Sequence, residues 1–129
     1  MENLLLIPDS YWGAPFISFK RTGEFSITGR SVAENITEYY QPVFKWLSSI
    51  TDSPPTIITL SIQLEYFNSK SGRIILHILK MLEQLSLQDK SNVLVNWFYE
   101  EDDSSMYDSG SDFQNIVNIP FKCYALKVT

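Results

Sequence analysis

TIITLSIQLEYFNSKSGRIILHILKMLEQL, Thr56 to Leu85, decides the fold. A β-branched, apolar run from Thr56 to Phe67 reads as a long strand. It ends abruptly at Asn68-Ser69. From Ser71 to Leu85, the residues Ile74, Ile75, Ile78, Leu79, Leu82 and Leu85 recur at helical spacing, with His77, Lys80, Glu83 and Gln84 elsewhere around the helix. A strand that runs straight into a helix is half of a crossover, the connection that parallel strands require. The junction also sets two small hydroxyls, Ser69 and Ser71, at the positive end of a helix dipole. Free backbone N–H groups there favour a phosphoryl group.

The rest of the chain extends this pattern in both directions. Phe16 to Lys20 and Glu24 to Thr28 alternate around Thr22-Gly23 and read as a β-hairpin, with Gly29 as its breaker. Ser31-Val32-Ala33-Glu34 fits a capping box, a hydroxyl followed three residues later by a carboxylate. Behind it Ile36, Tyr39, Tyr40, Val43, Phe44, Leu47 and Ile50 mark a helix, in which Pro42 is expected to give a kink or a restart. Asn92 to Tyr99 is another strand and Ser105 to Ile116 a shorter helix. Pro120 precedes a last strand, Phe121 to Val128. The order ββαβαβαβ predicts a single α/β domain over residues 1–129, with residues 1–13 as an N-terminal extension. Its mixed, mostly parallel sheet has about five strands, an N-terminal hairpin and about three helices. Parallel strands ending at Phe67 and Tyr99 would place Ser69 and the acidic run Glu100-Glu101-Asp102-Asp103 on one sheet edge, where sites of open α/β sheets gather.

Composition narrows the function. The 129 residues are 44% hydrophobic and 14% aromatic, enough for a real core. Ten basic residues against 15 acidic ones give a formal charge of −5, which argues against nucleic acid or an anionic membrane as partner. Cys123 and His77 are the only cysteine and histidine, so neither an internal disulfide nor a zinc site is expected, and no cofactor is implied. Leu4 to Ile7 is apolar but too short for a span and lacks a basic leader. A cytoplasmic protein without membrane insertion is expected.

Each candidate motif carries a plain structural reading beside the functional one. Asn68-Ser69-Lys70-Ser71 suits helix capping, which residue types alone favour. It also suits phosphorylation, which adds about −1.5 to −2 charge. Glu100 to Asp103 reads as a solvated acidic loop, a docking surface for a basic partner, or a magnesium site. Glu65 is a further carboxylate near the Ser69 end. His77 reads as a helix-face residue rather than a general base or phosphoacceptor, and Cys123 as a small buried core residue of the last strand rather than a nucleophile. Tyr11 and Trp12 precede a Gly-Ala-Pro turn and are candidate contact residues. No phosphate-binding loop, dinucleotide fingerprint or serine-hydrolase order is present in the sequence.

GRSVAENITEYYQPVFKWL (Gly29 to Leu47), LEYFNSKSGRIIL (Leu64 to Leu76) and VNWFYEEDDSSMYDSGSDF (Val95 to Phe113) together resemble the SiaC-type regulatory phosphoproteins of bacteria. The hairpin FISFKRTGEFSITG and the ending IPFKCYAL fit as well, so the resemblance runs from about Ala14 to Leu126. It implies a STAS-like switch in the manner of anti-sigma-factor antagonists. Such a switch is phosphorylated by a serine/threonine kinase of the histidine-kinase-like ATPase type and reversed by a PP2C-type phosphatase. In the best-known pathway the unphosphorylated form activates a diguanylate cyclase, linking it to cyclic-di-GMP and biofilm formation. The family's acceptor follows the Phe-Asn pair, which is Ser69 here, with Ser71 as the fallback. Where the family often has threonine, this chain has serine; where it usually has proline before Glu-Asn, this chain has Ala33. Glu65, Tyr66, Asn68, Lys70 and Glu100 to Asp103 are then the expected partner-binding residues. A magnesium-dependent receiver-like domain using the acidic loop, or an unphosphorylated adaptor, are the alternatives.

Overall fold

The computed structural model describes residues 2–8 and 12–128, so Tyr11 lies outside the described residues. The elements are β1 (Leu4–Leu6), β2 (Phe16–Phe19), β3 (Glu24–Ser31), α1 (Ile36–Ile50), β4 (Ile57–Phe67), α2 (Ser69–Leu87), β5 (Asn92–Glu100), α3 (Ser104–Ile116) and β6 (Phe121–Leu126). They form a single α/β domain with one mixed sheet, in which the spatial order of the six strands is their chain order. β1, β2 and β3 pair antiparallel, and β3 to β6 pair parallel. Each parallel crossover steps to the next strand in the same direction. Right-handed crossovers then put all three helices on one face.

Side-chain register agrees with this arrangement. Ile17, Ile27, Ile62 and Trp97 lie opposite one another across four strands and are wholly buried. The neighbouring row, Ser18, Ser26, Ser61, Asn96 and Lys122, points the other way and is polar. Two aromatic groups anchor the helices to the sheet. Phe19 and Phe25 stack at 4.4 Å with Trp46 of α1 edge-on to both. Trp97 of β5 meets Phe67, Phe113 and Phe121 at centroid distances of 6.0, 5.5 and 6.3 Å. Glu83 is a buried carboxylate of α2. Its Oε2 accepts from the Asn118 N–H at 2.5 Å and its Oε1 from Lys80 at 3.3 Å. The Asn118 bond, more than Lys80, holds its carboxyl below the ordinary range against the opposing effect of burial.

Several features correct the sequence reading. The sheet has six strands rather than about five, because Leu4 to Leu6 of the expected extension pairs with β2 and rests Leu4 and Leu6 on the core. Gly29 does not end its strand: at φ 113° it adopts a conformation open mainly to glycine. The ladder shifts register between Gly29 and Arg30, and β3 continues to Ser31. Ser31 is therefore a strand residue and not a helix cap. α1 starts five residues later, with Asn35 at the cap position and no side-chain cap bond. Pro42 neither breaks nor restarts α1. The carbonyl left without its helical donor is that of Glu38, and both residues are exposed to water. α2 begins at Ser69, two residues before the expected start, and α3 begins at Ser104.

One contact makes a sharp test of the packing. Gly110, inside α3, lies against the Trp97 indole, and a Cβ there would sit 2.5 Å from Trp97 Cδ1. Alanine normally stabilises a helix interior relative to glycine by about 0.5–1 kcal/mol. Here the clash should win. Gly110→Ala is expected to lower stability by about 1–3 kcal/mol in urea unfolding; an increase would show that α3 sits away from Trp97.

Candidate functional site

A single residue separates β4 from α2, and its bonds set the geometry of the junction. Asn68 is extended (φ −89°, ψ 175°) and is the N-cap of α2. Its Oδ1 accepts from the Ser71 N–H at 2.9 Å. Its Nδ2 donates to the Val32 carbonyl at 3.3 Å, and its backbone N–H donates to the Ser31 carbonyl at 3.2 Å. The cap is thus Asn68, leaving the Ser69 hydroxyl free of that task. Ser69 is exposed at the first position of the helix, where backbone N–H groups have no acceptor within the helix.

Ser71 has the opposite environment. It is wholly buried, as are Ser31 and Tyr40. Ser71 Oγ donates to the Ser31 carbonyl at 2.5 Å, and Ser31 Oγ donates to Ser71 Oγ at 2.8 Å. Each hydroxyl has one proton, so the 3.0 Å contact between Ser31 Oγ and Tyr40 Oη has Tyr40 as its donor. The relay runs from Tyr40 through Ser31 and Ser71 to the Ser31 carbonyl. It ties α1, the end of β3 and the first turn of α2 together. Burial pushes the Tyr40 phenol far above its ordinary range, against the pull of the Ser31 bond, so this donor stays protonated.

Three concave surfaces surround the junction. Ser69 lines a cavity of about 290 Å³ with Phe67, Gly72, Arg73, Asp112 and Phe113. Lys70 and Arg73 line a groove of about 550 Å³ between α1 and α2, together with Gln41, Phe44 and His77. The His77 imidazole packs on Phe44 at a centroid distance of 4.6 Å, so it is a helix-face residue as the sequence suggested. Glu65, Glu100 and Asp103 line a cavity of about 240 Å³ at the ends of β4 and β5. Glu65 also pairs with Arg30 at 3.8 Å, an exposed contact of little energetic weight. Tyr66 is exposed beside it.

The acidic run has a more divided role than its composition suggests. Glu101 and Asp102 are exposed in a turn. Asp103 caps α3, its Oδ1 accepting from the Met106 N–H at 3.0 Å. Among the described residues no group of three or more His, Cys, Asp or Glu side chains converges as a metal site requires. Ser69 lines one cavity, and Glu100 and Asp103 line another. A smaller cavity containing Asp103 lies between them, meeting the Ser69 cavity at Phe67 and Ser109. Cys123 is half-buried in β6, and burial pushes its thiol up, away from thiolate chemistry. Among the described residues, no helix is long and apolar enough to cross a membrane.

Sequence reading missed the Tyr40–Ser31–Ser71 relay, whose Ser31–Ser71 contact spans 40 residues and follows no local pattern. It also passed over Arg73, although a cation four residues after a candidate phosphoacceptor is a readable helical signal.

A mixed sheet with three crossover helices makes this a single α/β domain, close in arrangement to the STAS-like class, with an exposed hydroxyl at one strand–helix junction. Comparison with known proteins makes the class specific. The chain belongs to the SiaC family: the model of the SiaC family regulatory phosphoprotein matches residues 10–126. Apo-SiaC from Pseudomonas aeruginosa shares the fold at a TM-score of 0.84 and 24% identity, covering 97% of this chain and 100% of that one. SiaC bound to the diguanylate cyclase SiaD, which it activates, matches at 0.84 and 24%, covering 95% and 99%. An uncharacterized protein of Pseudomonas aeruginosa strain UCBPP-PA14 is 25% identical over 105 residues, 81% of this chain and 82% of its own length.

The two serines separate cleanly by stability. Ser71→Ala removes a donor and an acceptor from a buried relay and is expected to cost about 1–3 kcal/mol. Asn68→Ala removes the cap and is expected to cost about 0.5–2 kcal/mol. Ser69→Ala should stay within about 0.5 kcal/mol of the parent, as surface substitutions do. Urea unfolding checks all three; a Ser71→Ala protein as stable as the parent would remove the relay from the account.

Proposed function

We propose that this chain is a non-catalytic phospho-switch whose acceptor is the Ser69 hydroxyl. A partner kinase of the histidine-kinase-like ATPase type transfers the γ-phosphoryl group of ATP to Ser69 Oγ. The Oγ–P bond forms as the P–O bond to the ADP leaving group breaks, and the hydroxyl proton leaves to the kinase. A PP2C-type phosphatase returns the serine by hydrolysis. The unphosphorylated form docks on a diguanylate cyclase, and phosphate at the junction removes that docking. Tyr66, Asn68 and Lys70, with Glu65 and Glu100 to Asp103 along the same edge, form the docking surround. The protein acts in the cytoplasm.

The observation that carries this reading is the contrast between the two hydroxyls. Ser69 is exposed at the first position of α2, whereas Ser71 is buried with its oxygen bonded twice. A kinase must reach the oxygen it phosphorylates, and only Ser69 meets that need without melting the helix start. Membership in a family of regulatory phosphoproteins supports the same acceptor logic. The complex in which SiaC activates SiaD supports a cyclase as the output partner. A phosphate on Ser69 adds about −1.5 to −2 charge to an exposed turn, enough to turn an attractive docking surface into a repulsive one.

The acceptor is tested with the cognate kinase and ATP. Intact mass is expected to rise by ~80 Da, one HPO₃ group, and peptide mapping should place it on Ser69. Ser71→Ala should still be modified. Modification that persists in Ser69→Ala would overturn the assignment.

A further inference from the structure

Arg73 stands where two of the concave surfaces meet. It lines the cavity that contains Ser69, and it also lines the groove between α1 and α2. Residues four apart on a helix lie one turn above each other, so Ser69 and Arg73 are neighbours along α2. Arg73 is exposed, and among the described residues no ion pair engages it. Asp112 of α3 lines the Ser69 cavity too, without bridging to Arg73. The chain carries a formal charge of −5, yet the groove is lined by Lys70 and Arg73 and by no carboxylate.

We propose that Arg73 is the receiving arm for a phosphate on Ser69, and that by turning to it Arg73 relays the modification to the α1–α2 groove. The proposal rests on Ser69 being the acceptor. A phosphoseryl group presents three strong acceptor oxygens. A guanidinium one helical turn away can meet two of them in parallel, with the charge-assisted bonds that make arginine the preferred partner of phosphate. Asp112 repels the phosphate from the α3 side of the cavity and so favours its approach to Arg73. The same movement takes the guanidinium out of the groove, where Lys70 becomes the sole lysine or arginine along the wall. One modification thereby rewrites two surfaces: it adds an anion beside α3 and withdraws a cation from between α1 and α2.

The test uses the full chain with phosphoserine inserted at position 69 during translation, so it needs no kinase. Phosphorus NMR follows the second ionisation of the phosphate, and amide spectra of ¹⁵N-labelled protein follow Thr37, Gln41 and Phe44 across the groove. The second pKa is expected to lie lower in the parent than in Arg73→Gln by about 0.5 or more, with Arg73→Lys between them. Phosphorylation should shift the three groove amides in the parent and leave them unmoved in Arg73→Gln. Equal phosphate titrations in parent and Arg73→Gln would overturn the capture. A lowered pKa with unmoved groove amides would overturn the relay to α1. Because the phosphate is installed chemically defined, either failure is distinct from Ser69 failing as a kinase substrate. Arg73 is exposed, and unchanged amide spectra elsewhere confirm that the variants fold.

Discussion

The buried hydroxyl relay is the constraint on which the functional end of this protein depends. Tyr40 donates to Ser31, Ser31 to Ser71, and Ser71 to the Ser31 carbonyl, all within fully buried side chains. A buried polar group left unpaired costs about 1–3 kcal/mol, so these groups are held together or the region opens. The same carbonyl also accepts the Asn68 N–H, and Asn68 in turn caps α2. The last residue of β3, the first turn of α2 and the second turn of α1 are therefore one hydrogen-bonded unit. Ser69 and Lys70 project from it, between the capping Asn68 and the buried Ser71.

In the proposed switch, that arrangement would convert a small local change into a change of surface. Asn68 and Ser71, which bracket the exposed Ser69 and Lys70, are both hydrogen-bonded to the end of β3, so the helix start is held on either side of the proposed acceptor. The added charge stays where it is placed, beside Arg73 and Asp112 and one cavity away from Asp103. The parallel sheet supplies the wider setting. β4 and β5 deliver Glu65 and Glu100 to one rim, joined there by Asp103 from the turn before α3, and α2 delivers Ser69, Lys70 and Arg73 beside it. A partner reading this end meets carboxylates along the strand ends and cations along the helix, with the proposed acceptor hydroxyl between them. Belonging to a family of regulatory phosphoproteins gives that geometry its biological sense.

Much of this was legible in the sequence because two periodicities meet at one residue. The period-2 run to Phe67 and the period-3.6 run from Ile74 fix β4, α2 and the junction between them. The crossover order then fixes the parallel sheet and the edge on which the site lies. Features made by contacts between distant residues were not legible. Ser31 carries the local signature of a helix cap, yet the strand runs on through Gly29 because glycine tolerates φ 113°, and its hydroxyl is spent on Tyr40 and Ser71 instead. β1 is only three residues long, too short to show alternation. The acidic run looked uniform by composition, but the turn before α3 singles out Asp103 as a cap and leaves Glu101 and Asp102 to solvent.

In the proposed switch, the charge on one exposed oxygen decides whether a partner docks. The most direct measurement is calorimetric titration of the diguanylate cyclase proposed as partner with this protein carrying either serine or phosphoserine at position 69. Binding by the serine form is expected, with at least about a tenfold loss, roughly 1.4 kcal/mol, on phosphoserine. Equal affinity of the two forms would contradict it.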